Sequence, residues 1–361
     1  MRVYLDHNAT SPLRPEVKAA ILAAMEVGGN ASSVHREGRA ARKLMDDARE
    51  KIGFALRCLP QMITFTSGGT EANAMAIRGL AAERILISAV EHTSVLDAAR
   101  ATGKIVEIIP VDDQGRVDPA VLDKMIVGPN VLVSVMLANN ETGVVQPISD
   151  IISVSKAKGA LVHVDAVQAF GKYSVNFGLL GCDMLTVAAH KVGGPKGIGA
   201  LVLRDGLVVE PLFVGGGQEL RRRAGTENIP AIAGFGAVAE FPLVEKFGLT
   251  DRLQEGLTDC IVFSNLRERL SNTTCFAVPA MSAETLLMNL DLEGFAVSSG
   301  SACSSGKVGR SHVLDAMGVD PAISSGAIRV SMGWNTTADD VARFISTLNS
   351  LRARHVSRRA A

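Results

Sequence analysis

The chain has 361 residues, and its 37 basic and 37 acidic side chains cancel, so net charge makes no case for nucleic-acid or membrane-surface binding. A hydrophobic content of 47% with 20% charged residues suits a soluble protein with a large core, in two domains or one large α/β domain with an appendage. No apolar run is long enough to span a membrane, and no signal-peptide core opens the chain. The five cysteines (58, 182, 260, 275 and 303) form no CxxC pair, which argues against a zinc site or a disulfide framework and fits a reducing cytoplasm.

In chain order, residues 3–6 (VYLD) read as a short strand before the polar turn His7–Pro12. A helix is predicted from Pro15, with Val17, Ala20, Ile21, Ala24 and Met25 on one face and Gly28-Gly29 stopping it. A second, charged helix runs to about Leu56. Strand and helix then alternate. Strands are predicted at 62–66, 85–89, 105–110, 131–137, 161–164 and 184–187, and helices at 71–82 and near 94–101, 118–126 and 147–157. This alternation predicts a mainly parallel sheet covered by helices, with its site beyond the carboxyl ends of the strands. Beyond Thr226 the texture changes: a long helix over about 229–246 reaches a boundary at Gly248-Leu249-Thr250-Asp251. Helices near 251–270 and 282–290 follow, then a strand near 327–331 and a last helix from Thr337, capped through Asp340. The basic tail from Arg352 is expected to fray.

Several strand ends carry residues suited to chemistry. Lys191 follows the apolar run 184–189 on a glycine-rich turn, where low dielectric makes an amine a better nucleophile or base; the alternative is a solvated surface charge. The turn Thr66-Ser67-Gly68-Gly69-Thr70 opens a helix and can receive an anion on its backbone N–H groups, or serve as a plain N-cap. It has neither Walker A nor dinucleotide spacing. Asp165 ends a buried strand and needs either a cationic partner, such as a protonated pyridine nitrogen, or an N-cap role. Gln168 can donate to a ring oxygen, His92 can stack on an aromatic ring and relay protons or be a loop histidine bonded to the backbone, and Asn140 can bond ring or substrate unless it is a turn residue. Cys303 lies in a loop of small residues near Lys307 and Arg310, which favours a thiolate; the alternative is a merely tolerated loop cysteine. Arg329 puts a guanidinium in an apolar strand, to be answered by a substrate carboxylate or a structural acid.

Together these blocks resemble the cysteine desulfurases, pyridoxal-phosphate enzymes of the class V aminotransferase group, close to the nitrogen-fixation and iron–sulfur-cluster type. The resemblance runs through YLDHNAT (4–10), SSVHREGR (32–39), TSGGTEAN (66–73), EHTSVLD (91–97) and ANNETGVVQPI (138–148). It continues through HVDAVQAFGK (163–172), HKVGGPKGIGAL (190–201), GGGQE (215–219), RAGTEN (223–228) and SSGSACSSG (298–306). It implies an α/β chain of pyridoxal-phosphate fold type I, with a large cofactor domain at 14–248 and a smaller α+β domain formed by 1–13 and 249–361. It further implies Lys191 as the lysine that binds pyridoxal 5'-phosphate and removes the substrate Cα proton, and Cys303 as the nucleophile that takes sulfur from L-cysteine as a persulfide, releasing alanine. Gly69, Thr70 and His190 would hold the phosphate, joined by Thr226 of the partner subunit in a homodimer. Asp165 would pair with the pyridinium, Gln168 and Asn140 would contact the ring and its oxygen, His92 would stack and manage the thiol proton, and Arg329 would take the substrate carboxylate. A sulfur-acceptor protein such as an iron–sulfur scaffold is implied; nucleic acid, membrane and metal are not. Selenocysteine lyase, a class V aminotransferase or lyase without persulfide chemistry, and a degenerate sulfur-protein scaffold are the rival readings. Two departures stand out: Ala188 where the family has serine, which removes one cofactor contact of about 1 kcal/mol, and Ala31 where it has proline.

Overall fold

The computed structural model describes residues 2–265, 268–300 and 310–360, the last five by backbone alone. Its strands are β1 (Val3–Tyr4), β2 (Ile63–Thr66), β3 (Arg84–Ser88), β4 (Ile105–Ile109), β5 (Val131–Met136), β6 (Leu161–Asp165), β7 (Met184–Ala188) and β8 (Gly199–Leu203). In the C-terminal part come β9 (Ile261–Val262), β10 (Thr273–Ala277), β11 (Phe295–Ala296), β12 (Ser298–Ser299) and β13 (Ala327–Ser331).

Strands β2 to β8 form one sheet in the order β2-β8-β7-β6-β5-β3-β4. The pairs among β3, β4, β5, β6 and β7 are parallel, whereas β8 lies antiparallel to both β7 and β2. Strand β2 therefore runs with β7, and the six strands other than β8 end on one edge. Their sequences explain the burial: β5 (VLVSVM) and β7 (MLTVA) are apolar or β-branched at every position but Ser134 and buried throughout, as a sheet covered on both faces requires. The chain order reverses between β3 and β5, and such a reversal opens a crevice beyond the carboxyl ends of the two strands.

A second apolar cluster joins Val3 and Leu5 to residues between Leu253 and Leu351, around a four-stranded sheet ordered β12-β13-β10-β9. The N-terminus belongs with it: β1 pairs in parallel with β11, and the Leu5 carbonyl accepts the Ser331 N–H.

The six predicted strands of the central region are present within two residues of their ends, and the Thr337–Asp340 capping box forms, with each backbone N–H donated to the other's side-chain oxygen. Four expectations need correction. The glycine-rich stretch after Lys191 is not all turn, because Gly199–Leu203 forms the reversed strand β8. The helix from Ile229 ends at Ala239, ahead of Phe241-Pro242, where the proline ring disfavours α geometry in the residue before it. Gly248 lies inside a helix, Phe247–Glu255, not in a turn, and the next segment contributes β9 and β10 instead of continuing to 270. The basic tail continues the final helix to Ala360, with Arg352 paired to Asp259 and Arg354 to Glu293.

Candidate active site

Beyond the carboxyl edge of the large sheet lies a cavity of about 230 Å³. Gly69, Thr70, His92, Asn140, Asp165, Gln168, His190 and Lys191 all line it, together with Asn8, Asn73 and Ser94. They arrive from five strand ends: β2 delivers the glycine turn, β3 His92, β5 Asn140, β6 Asp165 and Gln168, and β7 His190 and Lys191. Eight residues spread over more than 120 positions of sequence thus converge on one space.

The glycine turn starts the ten-residue helix Gly69–Arg78, whose first N–H groups have no partner within the helix. Gly69 is required by contact, since a Cβ there would fall 2.9 Å from Val167 Cγ2. Thr70 is exposed at the cavity rim. Inside the same helix, Asn73 donates from Nδ2 to Asp165 Oδ2 (2.8 Å) and to Ser94 Oγ (2.9 Å). The other Asp165 oxygen, Oδ1, accepts the Val167 N–H at 2.9 Å. The carboxylate is thereby held rigidly at the cavity wall.

His92 is the N-cap of the helix Thr93–Arg100, and its Nδ1 accepts the Ser94 N–H at 3.1 Å. With Nδ1 an acceptor, a neutral ring carries its proton on Nε2. Burial, seconded among the depressing effects by the Lys191 charge, holds the His92 pKa below its ordinary value against the opposing pull of Asp165. His190, half-buried beside Thr10 Oγ1 (3.3 Å), is pushed down to about 4, mainly by burial and then by Lys191. Both rings are therefore neutral near pH 7.

Lys191 leaves β7 through a short 3-10 turn, Ala189–Lys191, and its Nζ donates to the backbone carbonyls of Asn8 (2.7 Å) and Ala9 (3.0 Å). Asn8 is the residue that sequence reasoning missed most completely. Its carbonyl also accepts Gln168 Nε2 (3.0 Å), and its Oδ1 accepts Lys172 Nζ (2.9 Å) and Asn272 Nδ2 (3.2 Å). Its Nδ2 donates to the Asn140 carbonyl (3.1 Å) and Thr273 Oγ1 (2.9 Å), and its N–H to Ser331 Oγ (2.9 Å). One asparagine thus ties the large sheet to the C-terminal one.

Arg329 does not line this cavity. Its guanidinium is almost wholly buried; Nη2 pairs with Asp6 Oδ1 at 2.7 Å, and Nη1 donates to the Asn140 carbonyl at 3.0 Å. Its Nε has no partner. Of the two readings open from sequence, the acid-paired one is what the structure contains. Thr226 is exposed in a separate surface pocket with Gly215, Gly216 and Gln218, away from the Lys191 of its own chain. That segment contains three successive non-glycine residues at positive φ, Glu219, Leu220 and Arg221. Glu219 fastens it by accepting both guanidinium nitrogens of Arg49 (3.0 and 2.7 Å) and the Phe65 N–H (2.8 Å).

Cys303 and Lys307 lie outside the described residues. The segments on either side of them are anchored beside the cavity. Ser311 Oγ donates to Glu141 Oε2 (2.5 Å), and a Cβ on Gly300 would meet that same oxygen at 2.4 Å. His312 Nε2 lies 2.8 Å from the Glu91 carbonyl. Glu91 and Glu141 directly precede His92 and follow Asn140. Both are buried acids whose pKa burial raises, Glu91 well above the usual carboxyl range. Arg310 is paired with Asp315 at 2.7 Å.

The Aminotransferase class-V family description matches residues 3–344. The chain is 41% identical to the cysteine desulfurase IscS of Dictyoglomus turgidum, over 94% of this chain and 91% of that protein. It is 43% identical to a cysteine desulfurase of Cereibacter sphaeroides, over 96% of this chain and 95% of that one. Among solved structures, a NifS-like protein matches with a TM-score of 0.92 and 34% identity, covering 98% of this chain and 100% of the other. SspA, solved in complex with cysteine, matches with a TM-score of 0.82 and 31% identity over 92% and 99% of the two chains.

Proposed function

This chain belongs to the class-V aminotransferase family, and from that premise we propose that it is a pyridoxal-phosphate-dependent cysteine desulfurase, converting L-cysteine to L-alanine and a persulfide on Cys303. The observation that carries the reading is the single cavity in which a primary amine, a fixed carboxylate, a neutral imidazole and a helix N-terminus face one another. Those four groups fit the cofactor by chemistry. The first turn of the helix Gly69–Arg78, with Thr70 and His190, suits a phosphate dianion. Asp165 suits a protonated pyridine nitrogen, the flat His92 ring suits an aromatic face, and Lys191 suits a carbonyl carbon.

When bound, pyridoxal phosphate supplies an electron sink for the pair left behind as a substrate Cα–H bond breaks. The chain's own residues do the rest. Asp165, immobilised by Asn73 and the Val167 N–H, maintains the positive charge that the sink needs. Lys191 holds the cofactor and takes the Cα proton on Nζ. Gln168 and Asn140 orient ring and substrate, and Arg329, which donates to the Asn140 carbonyl, would take the substrate carboxylate in exchange for its Asp6 partner. The Cys303 thiolate forms an S–S bond to the substrate sulfur as the Cβ–S bond breaks, its electron pair passing to carbon, and His92 Nε2 handles the thiol proton.

The anchoring of the C-terminal flank of the Cys303 segment, Ser311 on Glu141 and His312 on the Glu91 carbonyl, supports its reach to this cavity. The division into lobes 14–248 and 1–13 with 249–361 agrees with the separate apolar cluster shared by Val3, Leu5 and the C-terminal residues. A homodimer would bring Thr226 of the partner subunit to the phosphate. No helix among the described residues is long and apolar enough to cross a membrane, which is compatible with a cytoplasmic enzyme serving a sulfur-acceptor protein.

The test is direct. Purified protein is incubated with L-cysteine and digested for mass spectrometry; one additional sulfur atom on the Cys303 peptide is expected. Cys303→Ala should abolish sulfide release and preserve the cofactor's visible absorption. Sulfide release at an unchanged rate would refute the assignment.

A further inference from the structure

Lys172 takes no part in the chemistry above, yet it is a buried lysine next to that site. It stands four residues after Gln168, in the segment that follows β6. Its Nζ donates to Gln168 Oε1 (2.7 Å) and Asn8 Oδ1 (2.9 Å), and no carboxylate among the described residues lies within ion-pairing distance. An ammonium buried without an anion is costly. Burial, then the charges of Lys191 and Arg329, depress this amine's basicity well below the ordinary lysine value. His7 and His190, the other titratable groups that sense Lys172, are themselves held neutral at pH 7. Nothing around Lys172 therefore calls for a charge there. What the surroundings do contain are two carboxamide oxygens for its N–H bonds.

This placement decides the orientation of a neighbouring amide. A carboxamide has an acceptor end and a donor end of nearly equal shape. With Gln168 Oε1 taken by Lys172, Nε2 is the end left facing the Asn8 carbonyl (3.0 Å), the oxygen that also receives Lys191 Nζ (2.7 Å). We propose that Lys172 is a positioning residue that fixes which end of the Gln168 carboxamide faces the Lys191 cavity, presenting Nε2 as a donor to an anionic oxygen of the group bound there. The proposal rests on the reading that this group is pyridoxal phosphate, whose ring bears such an oxygen. A donor on that oxygen draws electron density from it and weakens its hold on the proton it shares with the lysine linkage. Without the donor, the proton is held to higher pH.

The decisive measurement is the pH midpoint of the visible absorption of the cofactor-loaded protein. Lys172→Met, similar in size and without N–H donors, is expected to raise the midpoint by about one pH unit, a tenfold change in proton affinity. Gln168→Met should shift it similarly, and the double variant should add no further shift, because both changes remove one donor. Lys172→Gln, which keeps an N–H, should recover most of the effect. An unchanged midpoint in Lys172→Met, full additivity in the double variant, or a Lys172→Gln shift as large as that of Lys172→Met would overturn the proposal. A second readout needs no cofactor. In cofactor-free protein labelled with ¹⁵N-glutamine, the Gln168 carboxamide signal, identified by its loss in Gln168→Met, should shift and lose exchange protection in Lys172→Met; an unaltered signal overturns the proposal. A wild-type protein with no lysine-linked visible band would instead sink the functional reading, and the carboxamide signal would still decide the role of Lys172.

Discussion

Asn73 gives the sharpest test of how the site holds its carboxylate. Its Nδ2 donates to Asp165 Oδ2 at 2.8 Å, the one side-chain hydrogen bond that Asp165 receives among the described residues. Hydrogen bonds to charged groups contribute about 1.5–3 kcal/mol, so Asn73→Ala is expected to weaken pyridoxal phosphate binding by about ten- to a hundredfold. Asn73→Asp is more informative. It places a second carboxylate at hydrogen-bond distance, where two negative charges at an effective dielectric near 20 repel by about 6 kcal/mol. The pair therefore retains one proton well above the usual carboxyl range, and that proton can replace the lost N–H. Affinity for the cofactor should be near that of the wild type at about pH 6, and should fall steeply by about pH 9 as the shared proton leaves. The assay is titration of cofactor-free protein with pyridoxal phosphate, followed by visible absorption at both pH values. Wild-type affinity in Asn73→Ala, or a pH-independent affinity in Asn73→Asp, would show that Asp165 does not depend on this bond.

Ala188 closes β7 beside the glycine turn, 3.8 Å from where a Gly69 Cβ would lie; Ala188→Ser should restore one donor and tighten cofactor binding about fivefold, for roughly 1 kcal/mol, by the same titration. Burial pushes the thiols of Cys58 and Cys182 up to about 12, so brief alkylation near pH 7 should mark Cys303 first on peptide mapping; earlier labelling of either of the other two contradicts the assignment of Cys303 as the reactive thiol. His163, fully buried between Ser134 Oγ (2.8 Å) and Thr186 Oγ1 (3.0 Å), has its pKa lowered from 6.5 to about 4. The unfolded chain takes a proton that the folded one refuses, so this contribution, at most about 3 kcal/mol, is complete above pH 6.5 and is lost as the pH falls toward 4. Urea unfolding of His163→Asn should accordingly vary less between about pH 7 and 5 than that of the wild type, and parallel pH profiles would count against it.

The large sheet was legible because its strands are short, continuous apolar runs ended by polar turns, and the residues that line the cavity from it stand at such ends. Strand β8 was hidden because Gly199-Ala200 carries the preceding glycine turn into the strand without a break in texture. The glycine has a tertiary cause: a Cβ at Gly199 would sit 2.7 Å from the Gly68 backbone, so the strand must be bare where the turn after β2 crosses it. The C-terminal sheet was less legible because two of its four strands, β9 and β12, are two residues long, too short for an alternation to register. Asn73 and Lys172 both fell inside sequence blocks that marked the site, but their roles depend on partners 92 and 164 positions away, which spacing along the chain cannot reveal. One local signal was present for Lys172: a charge four residues after Gln168, in a run of small and apolar residues.

The position of Asn8 explains why the N-terminal segment belongs to the active site although most of the cavity comes from the other lobe. Residues 3–5 are committed to the C-terminal lobe through β1 and the Ser331 N–H, so Asn8 leaves that lobe already fixed in height. All four of its polar groups are then used, and its carbonyl receives Lys191. Removing its side chain withdraws a partner from Lys172, Asn272, Thr273 and the Asn140 carbonyl at once, and leaving buried groups unpaired costs more than the bonds themselves contribute. A segment with no proposed reacting group thus sets the position of the amine, and couples it to the C-terminal sheet.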